Sequence, residues 1–193
     1  MTASRANEDL DLVHRFLAGD RRAFDELMSA HEDRVFSICL RIMRDREHAL
    51  DAVQETFVKV FRRADHFTGE SAFSTWLYRV AVNTCYDQLR KLKRRHADPL
   101  PETNDPIDVS AGDELTAVEL RPDLQSALER ISDEFRAAVI LSDLEGLPLA
   151  DVAEILGVPV GTVKSRVFRA RRQLADELRN LDYPPGRQSD DHA

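Results

Sequence analysis

A cationic stretch near the end of the chain, GVPVGTVKSRVFRARRQL at residues 157–174, offers the clearest chemistry in this sequence. It holds five basic residues and no acidic one, although the whole chain has a formal net charge of −8. Arginine can grip a guanine edge or a phosphate with two hydrogen bonds, and lysine and serine can add backbone contacts. Noncovalent binding to nucleic acid is therefore one function that these residue types could serve, but charge alone does not decide it.

A helix must position these side chains, and the surrounding residues predict one. Gly157 can adopt the left-handed conformation that ends a helix, and Pro159 fixes the backbone for the first turn of the next. A short helix, a turn and a long helix make a helix-turn-helix, whose second helix can enter a major groove. Six apolar residues between Val160 and Leu178 fall on one side of this helix. The candidate DNA contacts on the other side and its flanks are Thr162, Lys164, Ser165, Arg166, Arg169 and Arg172. A solvated amphipathic helix is the competing interpretation, and the turn favours DNA binding.

A second candidate nucleic-acid face lies in residues 74–95, STWLYRVAVNTCYDQLRKLKRR. Its outer arc is predicted to hold Trp76, Arg79, Asn83, Arg90 and Arg94, with Tyr86 at the edge. Bases can stack on aromatic rings while cations follow the backbone, so this stripe suits a single strand. Packing of Trp76 and Tyr86 against a neighbouring helix is the alternative, and the sequence leaves it open.

Residues 46–64 predict a helix with a candidate face for a protein partner. The predicted core-facing stripe is Val53, Phe57, Val60 and Phe61. Four polar residues point elsewhere: Asp51, Gln54, Glu55 and Lys59. Asp51 and Glu55 stand four residues apart and repel mildly on a helix. They form either a solvated face or half of an ionic interface with a basic partner helix.

Periodicity and breakers together predict an all-α protein with two small helical domains. The first domain spans 8–96, with helices over 9–18, 21–44, 46–64 and 74–95. Gly19 and Asp20 supply caps between the first two of these helices. Residues 97–119 contain no Lys or Arg and predict a flexible acidic linker. The second domain spans 120–181, with helices over 122–131, 133–144, 149–156 and 160–181, and Ser132 is predicted to cap the second of them. A disordered tail is predicted over 182–193.

Other classes of function find little support in the sequence. Cys39 and Cys85 cannot make a four-ligand zinc site by themselves, and two buried free thiols are the expected outcome, with a redox pair as the alternative. No glycine-rich phosphate loop, nucleophile elbow or metal-ligand spacing is present, so neither enzyme activity nor a cofactor is expected. The first residues do not resemble a signal peptide, and no apolar run approaches the roughly 20 residues of a membrane span. A cytoplasmic protein is expected.

Three motifs in order carry a resemblance to a known family. DAVQETFVKVFRR, FSTWLYRVAVNTCYDQLR and LADVAEILGVPVGTVKSRVFRARRQL, with the acidic linker before the last, resemble bacterial RNA polymerase sigma factors of the extracytoplasmic-function group of the sigma-70 family. The similarity covers about residues 9–181. It implies that the first domain is sigma region 2, that the second is sigma region 4, and that the protein initiates transcription with core RNA polymerase.

The resemblance also implies roles for particular residues. Asp51, Gln54 and Glu55, with Lys59 beside them, would contact the clamp helices of the polymerase beta-prime subunit. The loop at 66–73, with Phe67 and Phe73 near its ends, would capture an unstacked base of the minus-ten element. The carboxy-terminal domain would read the minus-thirty-five element and touch the beta flap. Its best candidate contacts are Lys164, Ser165 and Arg169, although many relatives have arginine where this chain has Lys164. An anti-sigma factor is an expected partner, and membrane insertion is not expected.

A stand-alone helix-turn-helix regulator is the main alternative. It would explain the end of the chain but not the stripe that begins at Trp76. Such a regulator would be expected to dimerise on a palindromic site, and the sequence shows no obvious dimer seam.

Overall fold

The computed structural model describes residues 2–97 and 122–182, and all of the regular structure in these two ranges is helical. The chain divides into two compact units, Met1–Glu119 and Leu120–Ala193. The predicted all-α fold with two helical domains is confirmed. Most of the predicted linker and tail lies outside the described residues.

Nine α-helices are present in the described ranges. The N-terminal unit contains α1 (Thr2–Leu17), α2 (Arg21–Ser29), α3 (Glu32–Met43), α4 (Arg46–Arg63) and α5 (Phe73–Ala97), with a short 3-10 helix at Ala64–His66. The C-terminal unit contains α6 (Pro122–Arg130), α7 (Asp133–Val139), α8 (Leu149–Leu156) and α9 (Val160–Asp182), with a π-helical segment at Ile140–Leu144.

The core of the N-terminal unit lies between α3, α4 and α5. Each helix contributes buried aliphatic side chains at three- and four-residue spacing. They include Val35, Ile38 and Ile42 of α3, Ala52 and Val60 of α4, and Leu77, Ala81 and Val82 of α5. Full burial of one valine, leucine or isoleucine contributes roughly 1.5–3 kcal/mol. This packing fixes which faces of α4 and α5 remain at the surface.

The predicted continuous helix over 21–44 is wrong, because the chain breaks at Ala30 and His31 between α2 and α3. His31 has φ −121° and ψ −9° and makes no side-chain cap for α3. The guanidinium of Arg5 donates a hydrogen bond to the Ala30 carbonyl. The His31 ring instead reaches Asp9 on α1. Tertiary contacts with α1 thus override a sequence whose local periodicity is helical.

The predicted caps between α1 and α2 are confirmed. Gly19 has φ +104°, and its N–H donates to the Phe16 carbonyl at 2.9 Å. The Asp20 N–H donates to the Arg15 carbonyl at 3.0 Å, which completes a Schellman motif. The Asp20 carboxylate then accepts from the Arg22 N–H at 3.1 Å and caps α2.

The core of the C-terminal unit is formed where α6 and α7 pack against α9. Its buried cluster is Ala127, Leu128, Ile131, Val139, Ala170 and Leu174. The predicted helix over 133–144 changes geometry after α7. In the π-helical segment that follows, the Glu145 N–H donates to the Ile140 carbonyl at 2.9 Å.

A buried arginine ties α6 to α7. Ser132 stands at the N-cap of α7, but its side chain makes no capping hydrogen bond, so that prediction is wrong. Arg136 is fully buried and donates from Nε to the Leu128 carbonyl at 2.7 Å and from Nη2 to the Ile131 carbonyl. Its Nη1 lies 3.2 Å from Asp133. Arg136 thereby satisfies carbonyls at the end of α6 that the helix itself leaves unbonded.

Arg136→Met should lower the free energy of unfolding of the C-terminal unit by about 3 kcal/mol, because buried carbonyls and a carboxylate lose their partner. Urea unfolding followed by circular dichroism measures this change. The fluorescence of Trp76, the only tryptophan, reports the N-terminal unit and should show an unchanged transition. The matched control Arg172→Met, at an exposed position, should cost about 0.5 kcal/mol or less. Equal costs for the two variants would contradict the role of Arg136.

The two cysteines meet in the core of the N-terminal unit. Cys39 on α3 and Cys85 on α5 are both fully buried, and both are free thiols. The hydrogen bond with Cys85, followed by burial, raises the pKa of the Cys39 thiol well above its ordinary value. A buried thiol that resists ionisation is a poor nucleophile.

Because both thiols are fully buried, they should resist alkylation while the protein is folded. We expect iodoacetamide at about pH 8 to modify the native chain at least about tenfold more slowly than the urea-unfolded chain. Mass spectrometry over time measures both rates, and the chain has no other cysteine. Equal rates in the two states would show that the core opens readily around α3 and α5.

Candidate nucleic-acid interfaces

The turn between α8 and α9 has the geometry that the sequence predicts. Gly157 has φ +64°, and its N–H donates to the Glu154 carbonyl at 3.2 Å. The Val158 N–H donates to the Ala153 carbonyl at 3.1 Å, so α8 ends in a Schellman motif. Pro159 precedes α9, and its carbonyl accepts the first hydrogen bonds of that helix. The predicted helix-turn-helix is confirmed.

The faces of α9 are fixed by burial of its apolar stripe. Val163 and Ala170 are fully buried, and Val167 and Leu174 nearly so, whereas Val160 at the start of the stripe is 39% exposed. On the opposite side, four predicted contacts are exposed: Lys164, Ser165, Arg169 and Arg172. They share one surface of the helix, while Thr162 is only half-exposed.

Two other cations of α9 are paired within the C-terminal unit. Arg166 donates from Nη2 to Glu134 at 2.7 Å, and its side chain is only 19% exposed. Arg171 donates to Asp143 from Nε at 2.7 Å and from Nη2 at 2.9 Å. The hydrogen bond from Arg171, with a smaller one from Ser142, lowers the pKa of Asp143. The predicted contact Arg166 is thus held by a carboxylate, apart from the exposed surface around Arg169.

Phe168, which the sequence patterns did not single out, is 70% exposed in the middle of this surface. It stands next to Arg169 and three residues after Ser165 on α9. Exposure of an aromatic ring to water is unfavourable in free energy, so such a ring often marks a binding surface. In a major groove, an apolar side chain can contact the methyl group of thymine. Its position outside the apolar stripe was the available signal.

The second predicted face lies along α5. Arg79, Asn83, Arg90 and Arg94 are exposed, while Trp76 and Tyr86 are half-buried. Arg90 also contacts Asp87 one turn earlier. The structure therefore places the cations and the amide of the stripe at the surface, with the two aromatic rings at its edge.

Three aromatic rings form a cluster where the 66–73 loop joins α5. The ring centroids of Phe67 and Phe73 are 5.5 Å apart at 90°, and those of Phe67 and Trp76 are 5.7 Å apart. The Phe73 and Trp76 rings are 5.8 Å apart. Phe73 is only 2% exposed, so the prediction that it contacts DNA directly is corrected, and it supports the other two rings from beneath. Phe67 and Trp76 keep part of their surface accessible.

On α4, Asp51 and Gln54 are exposed. The predicted inward orientation of Phe61 is wrong, since its side chain is 47% exposed. Phe61 packs at the edge of a ring cluster, 5.2 Å from Phe16 and 5.1 Å from Phe24 between centroids. The outer face of α4 therefore combines polar and apolar side chains. Exposed apolar area of this kind is more typical of a protein-binding surface than of a surface that faces only solvent.

Glu55 and Lys59 do not project freely with Asp51. Lys59 Nζ lies 2.8 Å from Glu55 and donates to Thr84 Oγ1 on α5 at 3.0 Å. Gln88 Nε2 on α5 donates to Glu55 at 3.1 Å. The hydrogen bonds from Lys59 and then from Gln88 lower the pKa of Glu55. These side chains link α4, with its candidate partner face, to α5, with its candidate nucleic-acid face.

Neither a metal-binding cluster nor a membrane-spanning helix occurs among the described residues. In residues 2–97 and 122–182, no group of three or more His, Cys, Asp or Glu side chains is arranged to hold a metal ion. None of the helices described there combines the length and apolar character that a membrane span requires.

Comparison with protein families matches both units. The model of sigma-70 region 2 matches residues 27–95, and a model of sigma-70 region 4 matches residues 121–174. The chain is a member of the extracytoplasmic-function (ECF) RNA polymerase sigma factor family. The ECF RNA polymerase sigma-E factor of Haemophilus influenzae is 37% identical over 90% of this chain and 96% of its own length. The RNA polymerase sigma-H factor of Pseudomonas aeruginosa is 34% identical over 90% and 95% of the two chains.

Solved structures show the same fold. The sigma factor RpoE of Bartonella quintana, in complex with the anti-sigma factor NepR, aligns with a TM-score of 0.65 and 28% identity, over 81% of this sigma factor and 96% of that chain. CnrH in complex with the cytosolic domain of CnrY aligns with a TM-score of 0.65 and 22% identity, over 89% and 97% of the two chains. The second likeness concerns the fold alone.

The pairing of Arg171 with Asp143 should make the stability of the C-terminal unit depend on pH. Asp143→Asn should destabilise the C-terminal unit at neutral pH, because Arg171 loses its charged acceptor. Since the pKa of Asp143 is lowered, its stabilisation is complete above the ordinary aspartate pKa of about 3.9 and disappears as the pH falls through the lowered pKa.

Urea unfolding of native and Asp143→Asn chains from about pH 7 to about pH 3 measures this dependence. The two stabilities should converge at the acid end of the series. Glu129→Gln, an exposed carboxylate on α6, is the control and should show little difference at any pH. A difference between Asp143→Asn and native that stays constant throughout would rule out the ion pair as its source.

Proposed function

We propose that this ECF sigma factor binds core RNA polymerase and directs it to specific promoters. Its C-terminal unit reads the minus-thirty-five element as duplex, and its N-terminal unit recognises and melts the minus-ten element. The observation that carries the proposal is the presence of two different exposed cationic faces in one chain. One is a cationic helix of a helix-turn-helix, and the other is an arginine-rich stripe with aromatic rings.

The α9 surface suits the major groove of a duplex. Arg169 and Arg172 are exposed, and each can bind a base edge or a phosphate through a planar guanidinium. Ser165 and Lys164 add hydrogen-bond donors, and Phe168 adds an apolar contact at the centre. Thr162, at the edge of this surface, serves as a backbone contact in the same proposal, and Arg166 can do so only by releasing Glu134.

The α5 stripe suits a separated strand. Trp76 and Phe67 offer partly exposed rings on which a base can stack, and Arg79 and Asn83 lie farther along the same helix. Phe73 holds the rings from beneath. Arg90 and Arg94 continue the cationic path toward the end of α5, with Tyr86 at its edge.

The outer face of α4 serves as the contact for core polymerase. Asp51 and Gln54 provide exposed acceptors for a basic helix, and Phe61 provides apolar area farther along the same helix. Glu55 and Lys59 contribute from the α5 side of the same face. The chain supplies binding rather than catalysis, since the polymerase performs the nucleotide chemistry, and it works in the cell interior where that polymerase is found.

An anti-sigma factor controls this activity in the proposal. The support is the likeness to RpoE of Bartonella quintana, whose structure was solved in complex with the anti-sigma factor NepR. The beta flap of the polymerase is the further partner proposed for the C-terminal unit.

Transcription in vitro tests the central proposal. Purified bacterial core polymerase is given a pool of genomic promoter fragments with and without the chain, and the new start sites are mapped. Discrete start sites should appear only with the chain, and Asp51→Arg should abolish them because a basic partner helix would then meet a positive charge. Asp11→Arg on α1 reverses an exposed carboxylate elsewhere and should leave transcription unchanged.

A chain that yields no start site but still binds particular duplexes alone would be a stand-alone regulator. That outcome would end the sigma-factor proposal for its N-terminal unit.

The duplex contact generates its own prediction. Arg169→Ala should weaken binding to the minus-thirty-five duplex of a promoter selected in that assay by about tenfold or more, because a bidentate contact is worth roughly 1–3 kcal/mol. Arg166→Ala should have a smaller effect, since Glu134 already holds that side chain. Fluorescence anisotropy of a labelled duplex measures both. A larger loss for Arg166→Ala than for Arg169→Ala would reverse the assignment.

A further inference from the structure

A buried, hydrogen-bonded pair of side chains lies behind the aromatic cluster of the N-terminal unit. His31 Nε2 and Asp9 Oδ2 are 3.0 Å apart, and both residues are only 4% exposed. Since a carboxylate can only accept, Nε2 carries the hydrogen of this bond. The bond joins α1 to the break between α2 and α3, two segments that are 22 residues apart in sequence.

The couple is connected to Trp76 by an unbroken series of ring contacts. The His31 ring lies 5.6 Å from the Phe73 ring, with their planes at 56°, and 6.5 Å from the Tyr78 ring. Phe73 in turn contacts both Phe67 and Trp76. Asp9 therefore orients the His31 imidazole, the imidazole packs against Phe73, and Phe73 packs against the two partly exposed rings.

Energetics make a purely stabilising role a poor explanation. Burial of two polar groups costs free energy because both lose their hydration. Replacing such a couple by apolar residues of similar volume is often neutral or stabilising. What an apolar pair cannot supply is a directional bond that holds one ring in one orientation. The chain also breaks an otherwise helical segment at His31, which places this side chain against α1 and α5.

We propose that Asp9 and His31 are positioning residues for strand capture: their hydrogen bond fixes Phe73, and through it the Phe67 and Trp76 rings on which an unpaired base stacks. The inference rests on the proposed function of the α5 face. It adds α1, which lies outside the matched region 2 model, to the machinery of minus-ten recognition. Neither residue touches DNA in this arrangement.

The test uses the full chain and a double variant, Asp9→Leu with His31→Phe, which keeps apolar volume and an aromatic ring but removes the bond. Three quantities are measured. They are anisotropy binding to a labelled mixture of random single-stranded oligonucleotides about twelve nucleotides long, affinity for core polymerase, and the free energy of unfolding. Acrylamide quenching of Trp76, the only tryptophan, reports the ring cluster directly. The control pairs Asp11→Leu with His14→Leu at exposed positions on α1.

The double variant should bind single strands about tenfold more weakly, the cost of a poorly placed stacking ring. Its affinity for core polymerase should stay within about twofold of native, its stability should not fall, and Trp76 should become more accessible to acrylamide. The single variant Asp9→Asn keeps an oxygen that accepts from His31, so its binding to single strands should match that of the native chain. The exposed control pair should behave like the native chain.

Two results would overturn the proposal. One is a stable double variant that binds single strands as tightly as native, and the other is loss of strand binding, polymerase affinity and folding together, which would make the couple a general structural element. If the native chain itself fails to bind single strands, strand capture by this unit fails instead. Acrylamide quenching then decides the role of the couple, with changed access to Trp76 supporting positioning and unchanged access refuting it.

Discussion

The burial of one side of α5 and of α9 is the constraint on which both candidate interfaces depend. Once Leu77 and Ala81 are fixed against α3 and α4, the rotation of α5 is set and Arg79 and Asn83 must face solvent. Once Val163 and Ala170 are buried, the same argument places Arg169 at the surface of α9. When one face of a helix is fixed against the core, the rotation of the helix is fixed as well, and the residues on the opposite face must lie at the surface.

Ion pairs within each unit decide which charged side chains remain available at the surface. The chain carries a net −8, yet several of its carboxylates are engaged with cations of their own unit. Glu134 holds Arg166, and Asp143 holds Arg171. The cations left exposed on the outward side of α9 then create a local positive surface, and a nearby phosphate responds to that local field more than to the distant net charge.

Local signals were enough to predict most of the helices, the glycine ends of two of them and the helix-turn-helix. Gly157 and Asp20 act within a few residues of their own position, so their effects can be read from neighbouring letters. Two of the failures involve partners far along the chain. The break at His31 depends on Asp9, and the engagement of Arg166 depends on Glu134, 32 residues earlier. Periodicity gives the direction of a side chain but not which distant group it meets.

The internal pairing of α9 has a consequence for the thermodynamics of binding to DNA. Each lysine or arginine that neutralises a phosphate releases condensed counterions, and the number released sets how steeply affinity falls with salt. Arg166 and Arg171 are already paired with carboxylates of their own unit, whereas Lys164, Arg169 and Arg172 have no such partner among the described residues. Residues 160–174 of α9 therefore carry five positive charges, but in the proposed complex with DNA we expect the salt dependence to reflect about three of them.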